Sequence, residues 1–265
     1  MSYKNIFSLE GKHIVLTGAN GILGKNFARA LSDHGAFLSL IDLNFDEDFT
    51  TEMAEKADFY PVDISDKKSL SSAAQLIFSK QKSVDVLFSN AATKGKEIDR
   101  FFDPLEDFST DVWREIMSVN LDAMFLVCQI FGSKMARQGY GSIILTGSIY
   151  GLFSPDQRIY QGSLYEGKAI NSPAVYSASK AGVLGLSNYL AGYWGKNNIR
   201  VNTLVPGGIE SGQNDVFYEK YSARVPLNRM GKIDDLMGAV IFLASDASSY
   251  VSGQALVIDG GLSVW

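Results

Sequence analysis

The run Thr17-Gly18-Ala19-Asn20-Gly21-Ile22-Leu23-Gly24 constrains this chain most. It follows the β-branched stretch His13-Ile14-Val15-Leu16-Thr17 and opens an amphipathic stretch of helical length, Ile22 to His34. A strand that enters a helix through a glycine turn begins a βαβ unit, and such units feed a parallel sheet. The alternation continues down the chain. Phe37-Leu38-Ser39-Leu40-Ile41 reads as a second strand ending at Asp42, with later strands at Val84 to Ser89, Ser142 to Thr146, Ile199 to Val205 and Ala255 to Ile258. Helical stretches lie at about Lys67 to Lys80, Thr110 to Arg137, Val175 to Lys196 and Ile233 to Ala244. The fold class predicted is α/β, a single-domain Rossmann-like doubly wound parallel sheet over 1–265 with helices on both faces. Its 265 residues, 46% of them hydrophobic, suffice for one large core. The ligand crevice is expected outside the carboxyl ends of the strands. Two stretches resist assignment, Thr93 to Ser109 and Leu152 to Pro173. Loops of that length inside a compact domain are more often functional than idle.

The net charge of −5 gives no polyanion-binding surface, so nucleic acid is not expected as a partner. Met1 to Lys12 has no apolar stretch of signal-peptide length, and no segment is read as approaching the roughly 20 apolar residues that span a bilayer. A soluble cytoplasmic protein is expected. The single cysteine, Cys128, sits in the apolar run Ala123 to Phe131 and has no internal disulfide partner. His13 and His34 lie away from the motifs, and no Cys/His/Asp cluster has ligand spacing, so no metal is expected.

Glycines are needed in the first turn if a pyrophosphate is to approach the backbone, since N–H groups and the macrodipole at a helix N-terminus attract an anion. Gly18, Asn20, Gly21, Ile22, Leu23 and Gly24 are therefore candidate dinucleotide contacts; the other reading is a plain helix start with a tight turn. Asp42, 18 residues past Gly24, stands close to where an acidic residue accepts hydrogen bonds from an adenosine ribose. A carboxylate there repels a 2′-phosphate, and none of Ala19, Asn20, Leu43 and Asn44 is basic, so NAD is favoured over NADP. Asp63, with Ile64 beside it, is placed either on the adenine amino group or in a turn, with Ser65 capping the next helix.

Tyr176 and Lys180, four apart in Tyr176-Ser177-Ala178-Ser179-Lys180, stack a phenol and an ammonium on one helix face. With the turn upstream, the chain resembles the short-chain dehydrogenase/reductase family over nearly its whole length. Ser89-Asn90-Ala91-Ala92 resembles that family's Asn-Asn-Ala-Gly segment. Val119-Asn120-Leu121 resembles its helix asparagine, Gly147-Ser148-Ile149-Tyr150-Gly151 its serine strand end, and Pro206-Gly207-Gly208-Ile209-Glu210-Ser211 the turn that holds the nicotinamide carboxamide. Three departures stand out. The glycine spacing is that of the longer sugar-nucleotide branch, Ala92 replaces a glycine, and Ser211 replaces the usual threonine.

The resemblance implies Tyr176 as acid/base, Lys180 as its cationic helper and ribose ligand, Ser148 as orienter of the reacting oxygen, and Asn120 as a holder of Lys180 through water. It adds Asn90, Ala91, Ala92, Pro206, Gly207, Ile209 and Ser211 to the cofactor contacts. It also implies a homodimer or homotetramer, with Leu186 to Trp194 either facing a second subunit or buried within the chain. Ser148 and Tyr176 are 28 positions apart, about twice the family's usual separation, so an insertion within 152–173 is expected to line the substrate pocket. Tyr150, Tyr160, Tyr165, Arg158 and, from the earlier loop, Lys94 are the candidate substrate contacts. Gln161, Asn171, Asp156 and Lys168 add polar groups suited to a hydroxyl-rich small molecule rather than a steroid or acyl chain; the other reading is that the insert's side chains face water. Lys94, Lys96 and Arg100 read either as an anion site or as a solvated run. The segment from Ser148 to Asp156 is similar to bacterial flagellin-modification or nonulosonic-acid pathway dehydrogenases, which implies a sugar, sugar phosphate or nucleotide sugar. Two alternatives remain open: a sugar-nucleotide epimerase or dehydratase, and a non-catalytic dinucleotide-sensing regulator.

Overall fold

The computed structural model describes residues 5–264; Met1 to Lys4, the start of the stretch read for a leader, and Trp265 lie outside the described residues. The strands are β1 (His13–Thr17), β2 (Phe37–Asp42), β3 (Ala57–Pro61), β4 (Val86–Ser89), β5 (Gly141–Thr146), β6 (Leu164–Tyr165), β7 (Lys168–Ala169), β8 (Ile199–Pro206) and β9 (Ala255–Ile258). The principal helices are α1 (Ile22–Asp33), α2 (Glu47–Met53), α3 (Lys67–Gln81), α4 (Thr110–Gln138), α5 (Ala174–Trp194), α6 (Asp215–Ser222) and α7 (Met237–Ala244). Seven strands form one parallel sheet in the order β3-β2-β1-β4-β5-β8-β9; β6 and β7 make a separate antiparallel hairpin. From the central β1 the chain builds outward through β2 and β3, then crosses back to β4. Two neighbouring strands thus send their connections opposite ways, and a crevice opens at their carboxyl ends.

Side-chain alternation divides the core. Val15 of β1 joins Leu87, Ile143, Phe131 and Trp194 on one face, while Ile14 and Leu16 join Phe27, Leu38, Phe88 and Val240 on the other. All five residues of β1 are buried, as expected for a central parallel strand covered on both sides.

Four features differ from the sequence reading. The edge strand β3 and the short helices α2 and α6 were not anticipated. Asp66, not Ser65, caps α3, its carboxylate accepting from the Lys68 and Ser69 N–H groups at 3.2 Å. α4 runs 29 residues and, by length and composition alone, is long and apolar enough to cross a membrane, contrary to the expectation that no segment approaches this. Here Val127, Cys128, Phe131 and Met135 of α4 are buried in the core. The 152–173 segment is also structured, with a 3-10 turn at Gln157–Tyr160 followed by the β6–β7 hairpin.

Candidate active site

The three glycines after β1 do different work. A side chain on Gly18, whose φ is +67°, would sit 2.6 Å from the Ala91 Cα, so this turn packs directly on the end of β4. One on Gly24 would lie 1.9 Å from the Gly18 carbonyl oxygen, so Gly24 closes the turn. Gly21 meets nothing nearer than 3.4 Å, and as N-cap of α1 it brings no side chain to the helix start. Ile22 is exposed beside it, and Leu23 packs against the core. The protein itself therefore leaves Gly21 bare, as an approaching phosphate requires. The Asp42 carboxylate, at the end of β2, accepts from Asn20 N–H at 2.8 Å and from Leu43 N–H at 2.7 Å. Beside it the Asn20 amide bonds Asn44 and Asp46, and Lys25 is paired to Asp46.

Other predicted cofactor residues are engaged within the protein. Asp63 takes the turn reading, accepting from the Ser65 N–H at 2.8 Å and hydroxyl at 2.6 Å, with Ile64 buried behind it. The Asn90 amide is a stitch between strands: it donates to Gly18 O at 3.3 Å and accepts from the Thr146 hydroxyl at 3.0 Å. Ala91 packs on the core while Ala92 is exposed. At the end of β8, Pro206 leads into Gly207, whose N–H donates to Ile258 O at 2.8 Å. Gly208 packs closely against Tyr221 and donates its N–H to that hydroxyl, Ile209 bridges to Gly231, and Ser211 is held by Gln213.

Ser148 ends the connection from β5 and caps a 3-10 turn, its hydroxyl accepting from Tyr150 N–H at 3.2 Å. The close approach of that turn to α5 depends on Gly151: a Cβ there would be 2.6 Å from the Lys180 carbonyl. Ser148 is thereby held at Tyr176, in the first turn of α5. Burial raises the Tyr176 phenol above its ordinary value, and its hydrogen bond with Ser148 pulls the other way. Lys180 is almost wholly buried. Its ammonium donates to Thr146 O at 2.9 Å and stands 5.9 Å from the Tyr176 ring centroid. Desolvation lowers the Lys180 pKa to about 8, so its charge is easily lost. Among the described residues Asn120 makes no direct hydrogen bond to Lys180. It lies in a π-helical turn, Ser118–Ala123, and its amide clamps the Thr93 backbone, accepting from N–H at 2.7 Å and donating to O at 3.1 Å.

Ser148 and Tyr176 open into a cavity of about 510 Å³. Tyr150, Tyr160, Tyr165 and Lys94 line it. The Tyr150 and Tyr160 hydroxyls meet at 3.3 Å; burial raises both phenols, Tyr160 to about 12. Arg158 is the exception. It clamps the Asp156 carboxylate at 2.9 and 2.8 Å, its side chain is 80% exposed, and it lies outside this cavity. Asp156 also pairs with Arg224. Lys168 is likewise spent on Asp103 at 2.7 Å and Asp99 O at 2.6 Å, which ties the hairpin to the 98–103 loop. The Asn171 amide donates to Phe102 O at 2.7 Å, Lys220 of α6 reaches Gln161 O, and Asn214 donates to Leu164 O at 3.4 Å. The insert is therefore fastened on both flanks. A larger groove of about 1020 Å³, to which Gln161 belongs, runs along its outer side and reaches neither Ser148 nor Tyr176.

A family model described as enoyl-(acyl carrier protein) reductase matches residues 18–263. The chain belongs to the short-chain dehydrogenase/reductase family. A short chain dehydrogenase from Leptospira borgpetersenii serovar Hardjo-bovis, solved with bound NAD+, superposes with a TM-score of 0.87 at 32% identity, covering 99% of this chain and 97% of that one. A gluconate 5-dehydrogenase from Burkholderia cenocepacia, solved with NADP and tartrate, gives 0.83 at 28% identity and 98% of both chains. The 2-dehydro-3-deoxy-D-gluconate 5-dehydrogenase of Bacillus subtilis is 30% identical over 96% of each chain.

Set against this family, sequence reasoning missed the far wall of the cavity. Tyr221 and Phe217 of α6, Phe101 and Phe102 of the earlier loop, and Asn214 all line it. Phe101-Phe102 was the available signal, an apolar pair in a loop otherwise mixed in character. Tyr221 gave none, since its role as acceptor of the Gly208 N–H depends on a contact 13 residues away. Of the Leu186 to Trp194 face, Leu190 and Trp194 are buried within the chain, while Tyr189 and Tyr193 stay exposed and stacked at 5.7 Å. Among the described residues no group of three or more His, Cys, Asp or Glu could hold a metal ion.

Proposed function

We propose that this chain is an NAD(H)-dependent oxidoreductase that interconverts a secondary alcohol and a ketone on a polar, sugar-like substrate. The observation that carries this reading is the meeting of Ser148 and Tyr176, with Lys180 behind them, at one cavity whose wall includes four further polar side chains: Tyr150, Tyr160, Tyr221 and Asn171. A phenol both donates and accepts, so such a wall suits hydroxyl groups better than an acyl chain. The names of the Bacillus subtilis and Burkholderia cenocepacia relatives, both dehydrogenases of sugar acids, support the substrate class.

The residues present fit a nicotinamide dinucleotide. Gly18, Gly21 and the uncapped start of α1 would take the pyrophosphate, Asp42 the adenosine ribose, and Lys180 with the turn from Pro206 to Ser211 the nicotinamide end. The Asp42 carboxylate disfavours a 2′-phosphate, which supports NAD over NADP. When bound, the cofactor supplies or accepts a hydride. Ser148 hydrogen-bonds the reacting oxygen and fixes its position. In reduction, Tyr176 gives its hydroxyl proton to the carbonyl oxygen; in oxidation, its phenolate takes the proton from the alcohol. Lys180, while charged, favours that phenolate. Asn120 acts through Thr93, holding the β4 loop beside the site.

The test is Tyr176→Phe, assayed by NADH absorbance across sugar acids, sugar phosphates and polyols. The expected loss is about a hundredfold or more, the scale of general acid–base catalysis. Turnover close to wild type removes Tyr176 as the acid/base.

A further inference from the structure

The cavity that opens on Ser148 and Tyr176 is lined by many hydroxyl and aromatic groups but by one charged side chain, Lys94. No carboxylate lines it. Lys94 follows Thr93, whose backbone is locked on both sides by Asn120, so the lysine leaves a fixed point of the β4 loop. Several cations around the insert have partners. Lys168 holds Asp103, Arg158 and Arg224 hold Asp156, and Lys220 holds Gln161 O. Lys94 has no hydrogen bond or ion pair among the described residues. Lys94 is an exposed residue, and partial desolvation with no opposing carboxylate lowers its pKa.

We infer that Lys94 is the anion-recognising residue of the substrate cavity, and that the sugar-like substrate carries a carboxylate or a phosphate which pairs with it. This rests on the oxidoreductase reading above for the identity of the cavity, and it narrows the substrate from polyols in general to anionic ones. Phe101, Phe102 and Tyr165 line the same cavity as Lys94, and the phenols of Tyr150 and Tyr160 serve the hydroxyls. A cavity of about 510 Å³ is of ordinary size for a small-molecule site and holds a six-carbon sugar acid or sugar phosphate.

The experiment is calorimetric binding to the full chain, with and without NADH, using two matched pairs: D-gluconate against D-glucitol, and D-glucose 6-phosphate against D-glucose. The wild type is expected to bind at least one anion about tenfold to a hundredfold tighter than its neutral partner, the range for a charge-assisted contact. Lys94→Gln is expected to erase that difference and Lys94→Arg to keep it, with NADH affinity unchanged in both. Whichever pair shows the difference distinguishes carboxylate from phosphate. Equal binding of anion and neutral partner in both pairs overturns the inference, as does an anion preference that survives Lys94→Gln. Neither result touches the dehydrogenase reading, which fails instead if NADH does not bind or if Tyr176→Phe turns over normally.

Discussion

Replacing Gly151 by alanine puts a methyl group where the structure has no room for one. The added Cβ would lie 2.6 Å from both the carbonyl carbon and oxygen of Lys180, and 2.9 Å from Ala181 N. These are backbone atoms in the middle of α5, and no rotamer change can relieve the contact. Either the Ser148–Gly151 turn or the helix has to retreat by about 0.8 Å or more to reach ordinary van der Waals separation. Overpacking of this kind costs about 1–3 kcal/mol. For a chain of this size that is a fall in melting temperature of about 2–4 °C per kcal/mol. The larger effect is chemical, because the same turn carries Ser148 and the same helix carries Tyr176. A displacement of that order between two groups that must hold one oxygen costs about tenfold to a hundredfold in rate. Gly151→Ala is therefore expected to lower kcat while leaving NADH affinity near wild type, since the phosphate turn and Asp42 lie elsewhere. The assay is steady-state turnover by NADH absorbance alongside a thermal melt and an NADH titration. A kcat within twofold of wild type would refute the claim that Gly151 sets the Ser148–Tyr176 distance.

Other outcomes follow from the same geometry. Because the Lys180 pKa is lowered to about 8, its charge is present below that pH and lost above it, so carbonyl reduction is expected to decline on the alkaline side of about 8; a pH profile measures this, and Lys180→Met should lose that limb. Asp42→Asn is expected to weaken NADH by about tenfold to a hundredfold and to narrow its advantage over NADPH, read by fluorescence titration of both. His13 is buried between Ser83 O and the Ser39 hydroxyl at 2.6 and 2.9 Å, and desolvation lowers its pKa below the ordinary value of 6.5. The unfolded chain therefore takes up the proton first as pH falls: the His13 contribution is full above pH 6.5 and is lost on acidification below it. Urea titrations at several pH values check this, and the loss should be smaller in His13→Asn.

Much of this was legible because central parallel strands are buried on both faces and leave an unbroken apolar run, as in β1 and β8. β3 was not legible for the opposite reason. Its sequence Ala57-Asp58-Phe59-Tyr60-Pro61 is an edge strand with one partner, and it carries a charge and ends on proline. At the site, residues whose role is set by their own turn, such as Gly18 and Ser148, could be found from local motifs. Arg158 could not, since its place outside the cavity follows from pairing with Asp156 two residues away, which competes with any role toward a ligand. Asn120 was found for its family position, yet its actual partner, the Thr93 backbone, is 27 residues distant and fixed only by the folded sheet.

The fastening of the insert on two flanks bears on how selectivity in this chain can be altered. Lys168 and Asn171 anchor it to the 98–103 loop, while Gln161 and Leu164 are gripped by Lys220 and Asn214 from the opposite bank. It is built as a span between two abutments. Transplanting residues 152–173 alone into a relative would carry the arch without its footings, so substrate preference should travel only when all three segments are exchanged together.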